Sequence, residues 1–566
     1  MNRFFKFSTI SFFFILLLLG IALPVYAEKA YETIWTKQWG AAGDDRGIDI
    51  AVDGSGNVYV TGYTYYYDGL DGNTNAGYYD IFLTKYNSSG NKQWTKQWGT
   101  SSNDFGKGVT VDGSGNIYVT GYTNGDLDGN TNAGYYDIFL TKYSSSGNKQ
   151  WTKQWGTAGD DRGIDIAVDG SDNVYVTGYT YGSLDGNIDT GSADIFLTKY
   201  DSSGNKQWTK QMGTSKYDEA TDVAVDTNGN VYITGYTSGG LDGNTNQGLD
   251  DIFLVKYDTN GTKLWTNLWG TSDYDYGNSV AVDNSGNVYV TGYTYGSLDG
   301  NTNSSSYYDI FLTKYSSSGN KQWTKQWGTS DWDSGNCVIM DGSGNIYVTG
   351  FTFGGLDGNT KVGSADIFLT KYDSSGNKLW TKQWGTIYYE YGYGIVVDGS
   401  GNIYVTGYTE GDLDGNTNAG AFDIFLTKLS STSQQSIDVV LTAPTTTTVS
   451  KGSVLGPFSV SITNNTSSSY SIYVSPYLYD PYGNWISMGY IPLTLSANQT
   501  LNANNLHLYI PPFAPTGTYY YLTYMYDTSW NLLEDYDYFT FTVTSSSSSK
   551  SEFSSQNWIM SGWPDK

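Results

Sequence analysis

The chain has 566 residues but one cysteine, Cys337, and one histidine, His507. A lone cysteine excludes an intrachain disulfide, so stability must come from packing or from metal. His507 lies far from the internal repeats described below. No Ser-His-Asp or Cys-His arrangement can form within them, and a histidine-ligated zinc or iron centre is excluded there. Arginine is nearly absent too: past Arg3 there are only Arg46 and Arg162, too few for the arginine cluster of sialidase-type chemistry. Basic residues number 30 against 56 acidic ones, a net charge of −26. Such a surface repels phosphate backbones and argues against nucleic acid as a partner. Proline is scarce at 10, whereas glycine reaches 70, a balance that suits short strands joined by tight turns.

Long apolar runs are confined to the start. Arg3 and Lys6, the apolar core Phe12–Leu19 and the small-residue site Val25-Tyr26-Ala27 read as an export signal over residues 1–27. The core is too short for a comfortable bilayer span, and nothing later is long and apolar enough to make one. The expected location is secreted or at the cell surface.

What the chain has in quantity is aromatic residues, 16% of it with 53 Tyr and 18 Trp, and these sit in a repeat. The stretch Asn57–Tyr86, NVYVTGYTYYYDGLDGNTNAGYYDIFLTKY, returns from Asn116, Asn173, Asn230, Asn287, Asn345 and Asn402, at spacings of 57 to 59 residues. Within one copy, Gly47–Asp53, Val58–Thr64, Asp80–Tyr86 and Gln93–Trp98 carry the alternation and β-branched content of strands. Four antiparallel strands repeated seven times predict a seven-bladed β-propeller over residues 31–430. Ile34–Gly40 is a fourth strand without a first three, and Asp423–Leu429 a third strand without a fourth. The first is therefore expected to complete the last blade and close the ring, removing exposed edges. The paired tryptophans of WTKQWG, replaced once by Met212, are expected to pack between blades.

The VYVTGYT and DIFLTKY strands and the DGSGN turn resemble the bacterial SBBP-type β-propeller repeat, in all seven copies. The resemblance implies an exported, often cell-surface protein. It implies no single activity and no catalytic residue set.

Leu-Asp-Gly-Asn lies in a loop and yet persists in every copy, starting at Leu70, Leu127, Leu184, Leu241, Leu298, Leu356 and Leu413. A retained loop calls for a cause. Asp71, Asn73 and Asn75 at alternate positions, followed by Asp80, have the spacing of oxygen ligands in calcium loops. The corresponding sets are Asp128, Asn130, Asn132 and Asp137; Asp185, Asn187, Asp189 and Asp194; Asp242, Asn244, Asn246 and Asp251; Asp299, Asn301 and Asn303; and Asp414, Asn416, Asn418 and Asp423. Calcium is thus one reading. The spacing departs from EF-hand loops, having two Asn and an acid at the tenth position, and in the sixth blade Lys361 stands at the fifth position, which should weaken that site. The other reading is that Asp and Asn close Asx-turns, with Leu as an apolar peg beneath.

Loops from strand four to one, and from two to three, emerge on one face of a propeller. The first set brings Asp44, Asp45, Asp104, Asp160, Asp161, Asp218, Glu219, Asp273, Asp275, Asp331, Asp333 and Glu390. An acidic, aromatic face is expected there, suited to a glycan or protein ligand. Seven near-equivalent blades single out no catalytic pair, so a non-enzymatic binding or adhesion scaffold is favoured over a secreted polysaccharide hydrolase or lyase. Residues 431–436 read as a linker. Residues 437–544 carry about seven alternating strands, an immunoglobulin-like sandwich without its Cys and Trp core, and 545–566 read as a flexible tail with no assigned role.

Overall fold

The structure is a computed structural model that describes residues 31–65, 69–304, 307–430, 437–464, 469–497, 499–528, 532–545 and 559–561. The export signal and the linker lie outside them. No helix among the described residues is long and apolar enough to cross a membrane. The chain divides into two compact units, the first ending at Ser431.

The first unit is built from seven four-stranded antiparallel sheets. In blade 1 the strands run Arg46–Val52, Val58–Tyr65, Tyr79–Tyr86 and Lys92–Trp98 from the innermost outward. Blades 2 to 6 repeat this order. In blade 7 the fourth strand is Glu32–Trp39, antiparallel to Asp423–Ser430, with Trp39 opposite Ile424. The closure expected from the two incomplete ends is therefore present. The innermost strands of neighbouring blades touch around the whole ring, the seventh against the first.

Ring packing explains the tryptophans. Trp39, Trp98, Trp155, Trp269 and Trp327 are buried, each with its ring 5.1–5.3 Å from the last tyrosine of the third strand in the next blade. Where Met212 replaces tryptophan, the Tyr257 hydroxyl meets its sulfur at 3.1 Å. The Thr-Gly of VYVTGYT is also geometric. Thr61 donates to the Phe82 carbonyl at 2.8 Å. A Cβ on Gly62 would stand 1.9 Å from the Arg46 carbonyl oxygen. Only glycine lets the innermost strand lie so close.

The second unit packs two sheets face to face. One holds strands Ile437–Thr442, Val454–Asn464, Thr500–Tyr509 and Ile559–Ser561. The other is built on Tyr470–Tyr479, Gly517–Asp527 and Leu532–Thr544, with shorter strands at its edges. Val460, Ile462, Ile472, Leu478, Leu508 and Tyr521 fill a common core, and Phe458 meets Tyr521 at 5.0 Å. This is a β-sandwich. Ile559–Ser561, in the segment expected as a flexible tail, pairs with His507–Tyr509. His507 sits on that strand, its Nδ1 at 2.8 Å from the Asn505 carbonyl oxygen.

Candidate functional site: the central channel and its aromatic mouth

The LDGN loops fasten each blade's second and third strands to its fourth. Leu70 is buried and its N–H donates to Gln97 at 2.8 Å. Asp71 adopts a left-handed φ of 53°, which Asp tolerates better than most residues. Its two carboxylate oxygens receive the Lys92 ammonium at 2.8 and 2.9 Å, and the Thr95 hydroxyl also donates to it. The Asn73 amide nitrogen donates to the Leu70 carbonyl at 2.7 Å. The Asn75 side-chain oxygen accepts from the Gly77 N–H at 3.1 Å. Asp80 accepts from the Ala76 N–H at 2.7 Å and from Gln97 at 3.2 Å. Of the four residues proposed as one ligand set, Asp71 and Asn73 thus turn to separate partners, while Asn75 and Asp80 share the Gly77 N–H. The lysine pairing recurs at Asp128, Asp185, Asp242, Asp299 and Asp357. Blade 7 differs: Thr33 stands opposite Leu429, where Lys92 stands opposite Tyr86, and Asp414 takes the Thr36 hydroxyl.

The acidic loop ring is half buried. Asp45, Asp104, Asp161, Asp218, Asp275, Asp333 and Glu390 have no exposed surface. Asp104 accepts the Thr100 N–H at 2.6 Å and the Thr100 and Thr123 hydroxyls. Each of these acids faces a second buried carboxylate from the preceding blade. A Cβ on Gly99, for example, would lie 2.5 Å from Asp80 Oδ1 and 2.8 Å from Asp104 Oδ2. Burial is the main cause that pushes Asp45, Asp275 and Asp333 up to about 6. These acids tie blades together, and the expected dense ring of exposed carboxylates is not what the face presents.

Rings dominate that face instead. Successive aromatic contacts of 4.5–6.4 Å run Tyr217–Tyr236–Tyr276–Tyr293–Tyr308–Trp332–Phe353–Tyr389–Tyr391–Tyr408–Phe422. Arg46 stacks on Tyr408 and Phe422 while forking onto Asp44. Arg162 does the same on Tyr122 and Tyr136, with Asp160 as its acid. The two arginines thus extend the aromatic belt as flat cations. Trp332 is 43% exposed and Tyr135 64%, so part of this surface is free for contact.

Inside the belt lies a channel of about 480 Å³. Each innermost strand carries a β-bulge, after Gly47 in blade 1, and the bulged residues are Ile48, Lys107, Ile164, Thr221, Asn278, Asn336 and Tyr393. The residues after them are Asp49, Gly108, Asp165, Asp222, Ser279, Cys337 and Gly394. These two positions, with the one two residues before the bulge (Arg46, Phe105, Arg162, Glu219, Tyr276, Ser334 and Tyr391), are where the innermost strands diverge most. Bulges re-aim side chains and free backbone groups. Asp49 receives the Val109 N–H of the next blade at 2.7 Å, Asp165 that of Val223 at 3.0 Å and Asp222 that of Val280 at 2.7 Å. Thr221, Asn278 and Asn336 each donate to a carbonyl of the following blade.

Burial, with Asp222 nearby adding repulsion, pushes Asp49 up to about 7. Asp165 stands well above the carboxylate range because of burial and of Asp222, with which it shares a hydrogen bond. Glu219, also raised by burial, accepts the Tyr217 and Tyr236 hydroxyls at 2.7 and 2.8 Å. Burial and the positive charges of Arg162 and Arg46 pull Lys107 down to about 8. Its ammonium lies over the Tyr63 and Tyr122 rings at 5.5 and 5.7 Å. Among the described residues it has no ion-pair or hydrogen-bond partner. Apart from Glu219 and the lone Cys337, these channel residues did not stand out in the sequence, where attention goes to positions that repeat. The signal was the reverse: variable positions in the innermost strand of an otherwise regular repeat.

Fold and channel together define a closed β-propeller with an asymmetric axial cavity. The chain carries SBBP β-propeller repeats: the family described as beta-propeller repeat matches residues 34–68, 93–128, 150–185, 207–242, 264–299 and 379–414. Each match starts in an outer strand, and all but the first, which stops at residue 68, run into the following LDG loop. The chain is 23% identical to an uncharacterized WD repeat-containing protein of Acanthamoeba polyphaga mimivirus, over 66% of this chain and 36% of that protein. It is 28% identical to the regulatory protein FlaEY of Caulobacter vibrioides, over 38% of this chain and 26% of that protein. The chain therefore spans about a third of the length of these curated relatives. Among solved structures, YCF48 bound to D1 peptide aligns at 8% identity with a TM-score of 0.37, covering 71% of this chain and 95% of the other.

Proposed function

We propose that the protein is an exported binding scaffold whose partner, a glycan or a protein segment, lies across the aromatic mouth of the propeller. The observation that carries this reading is the belt of contacting rings around the channel, with Trp332 and Tyr135 open to solvent. Flat rings offer large contact area at low entropic cost and suit sugar faces and apolar side chains alike. The basic start, apolar core and small-residue site of residues 1–27 support export. The β-sandwich, immunoglobulin-like in its strand count, serves as a spacer or second adhesive module. In this reading the protein binds without turnover.

Calcium belongs to the proposal on one condition. At the LDGN loops of blades 1 to 6 it would have to displace the lysine from its aspartate, and only Asp414 lacks that competitor. Thermal unfolding with calcium and with a chelator tests this, because a ligand of the native state raises the melting point. The binding reading is tested on glycan and peptide arrays with the full chain and Trp332→Ala. Signals that the substitution abolishes support the aromatic mouth, and signals it leaves intact place the partner elsewhere.

A further inference from the structure

We propose that the channel is a binding site for a small organic carboxylate, held at its anionic end by the Lys107 ammonium and the hydroxyls of Tyr293 and Tyr308. This site lies inside the propeller and stands apart from whatever covers the outer face.

Acceptors in the cavity are largely occupied. Asp49 takes the Val109 N–H, Asp165 that of Val223 and Asp222 that of Val280, and Asp165 and Asp222 share a further bond. Glu219 takes two tyrosine hydroxyls. Several donors are not occupied. Lys107 lines the cavity, and its ammonium meets only ring faces, those of Tyr63 and Tyr122. Tyr293 and Tyr308 line it too, and among the described residues neither hydroxyl has a hydrogen-bond partner. An ammonium without an acceptor in a confined channel is costly unless water or a ligand supplies one. Arg46 and Arg162 stand close enough to weaken the hold of Lys107 on its proton, but each already grips an aspartate. Lys107 is therefore the cation of this group left for a ligand.

The chemistry of the occupant follows from what surrounds these donors. A cation would meet Lys107 and acids already engaged, and an uncharged ligand would leave the ammonium unpaired. Among the described residues no three His, Cys, Asp or Glu side chains come together closely enough to hold a metal. A carboxylate has lone pairs for an ammonium and for two hydroxyls together. Ile48, Ile164 and Phe351 line the same cavity and offer apolar wall to an alkyl or aryl body, which a bare inorganic anion lacks. Burial raises Asp49 to about 7 and lowers Lys107 to about 8, so near pH 6 the first is mostly neutral and the second charged. The volume of about 480 Å³ lies in the range of small-molecule pockets.

The test is titration calorimetry of the full chain at about pH 6 with phenylacetate and hexanoate, beside methyl phenylacetate and phenethylammonium. The two acids are expected to bind, and the ester and the ammonium to bind at least about tenfold more weakly, as loss of a charge-assisted hydrogen bond implies. Lys107→Met should remove the preference for acid over ester, and Lys107→Arg should restore it. Tyr293→Phe and Tyr308→Phe should each weaken phenylacetate binding about two- to tenfold while keeping that preference. The comparison of acid with ester on the unaltered chain decides the point even where a variant fails to fold. No binding of either acid at millimolar concentration overturns the proposal. So does an ester or ammonium that binds as tightly as the acid, or a preference for the acid that survives Lys107→Met.

Discussion

Acidifying this protein from pH 7 to pH 5 should stabilise the propeller. Asp45, Asp275 and Asp333 are fully buried, and burial is the chief cause that holds their carboxyls near 6 against 3.8 in the unfolded chain. A folded-state value above the unfolded one means that the native state binds the proton more tightly. The stabilisation is therefore complete below about pH 3.8 and is lost as pH rises through about 6. Between pH 7 and 5 each such group contributes about 1 kcal/mol, so the three together give roughly 3–4 kcal/mol. For a unit of about 400 residues this is a rise in melting temperature of roughly 3–5 °C. The turn aspartates act in a different window. Asp53, Asp169, Asp341 and Asp398 are held below their usual range: burial opposes this, but the hydrogen bonds of the turn, first that from the Asn side chain, outweigh it. Their contribution disappears only as pH falls below about 4. Stability should thus keep rising to a peak near pH 4 and drop below it. The assay is calorimetric unfolding at constant high salt, which screens surface repulsion but not buried groups. Asp275→Asn imitates the protonated acid and should raise the pH 7 melting point while flattening the profile. A melting point that falls or stays level from pH 7 to 5 would refute the argument.

Other consequences can be measured on the same protein. Trp269→Ala removes a buried ring that meets Tyr315 at 5.1 Å and should cost about 3–5 kcal/mol in denaturant unfolding. Trp269→Met, the exchange the chain itself makes at Met212, should cost less than half as much. Gly62→Ala places a methyl 1.9 Å from the Arg46 carbonyl oxygen and should abolish soluble folded protein, read as loss of the cooperative transition. Lys92→Met breaks a partly exposed pair with Asp71 and should change stability by no more than about 1 kcal/mol.

Periodicity made the propeller legible because blade packing depends on residues that must recur. Thr61 and Asp53 each perform one task seven times, Trp98 recurs six times with Met212 in the seventh place, and the two unfinished ends could only meet. The loop aspartates were harder. Oxygen spacing along a sequence does not reveal that Lys92, 21 residues on, supplies the positive charge. Nor does it reveal that Asp104 turns inward while Asp44 stays at the surface. The channel was hidden for another reason. Lys107, Asp165 and Asn278 are brought together by the ring, and they sit at positions that no single residue type fills in every repeat.

The closing strand imposes a count on the molecule. Glu32–Trp39 is made before any blade but finds its partner only when Asp423–Ser430 exists. It carries the same WTKQWG as several outer strands, so every earlier third strand is a plausible but wrong mate. Two departures identify the right one. Thr33 replaces the usual lysine, and Tyr31 ahead of it packs on Tyr347 and Trp380 of the sixth blade. Those few side chains act as a key for a lock that arrives last, so shuffling or deleting a single repeat would change where the ring shuts as well as how wide it is.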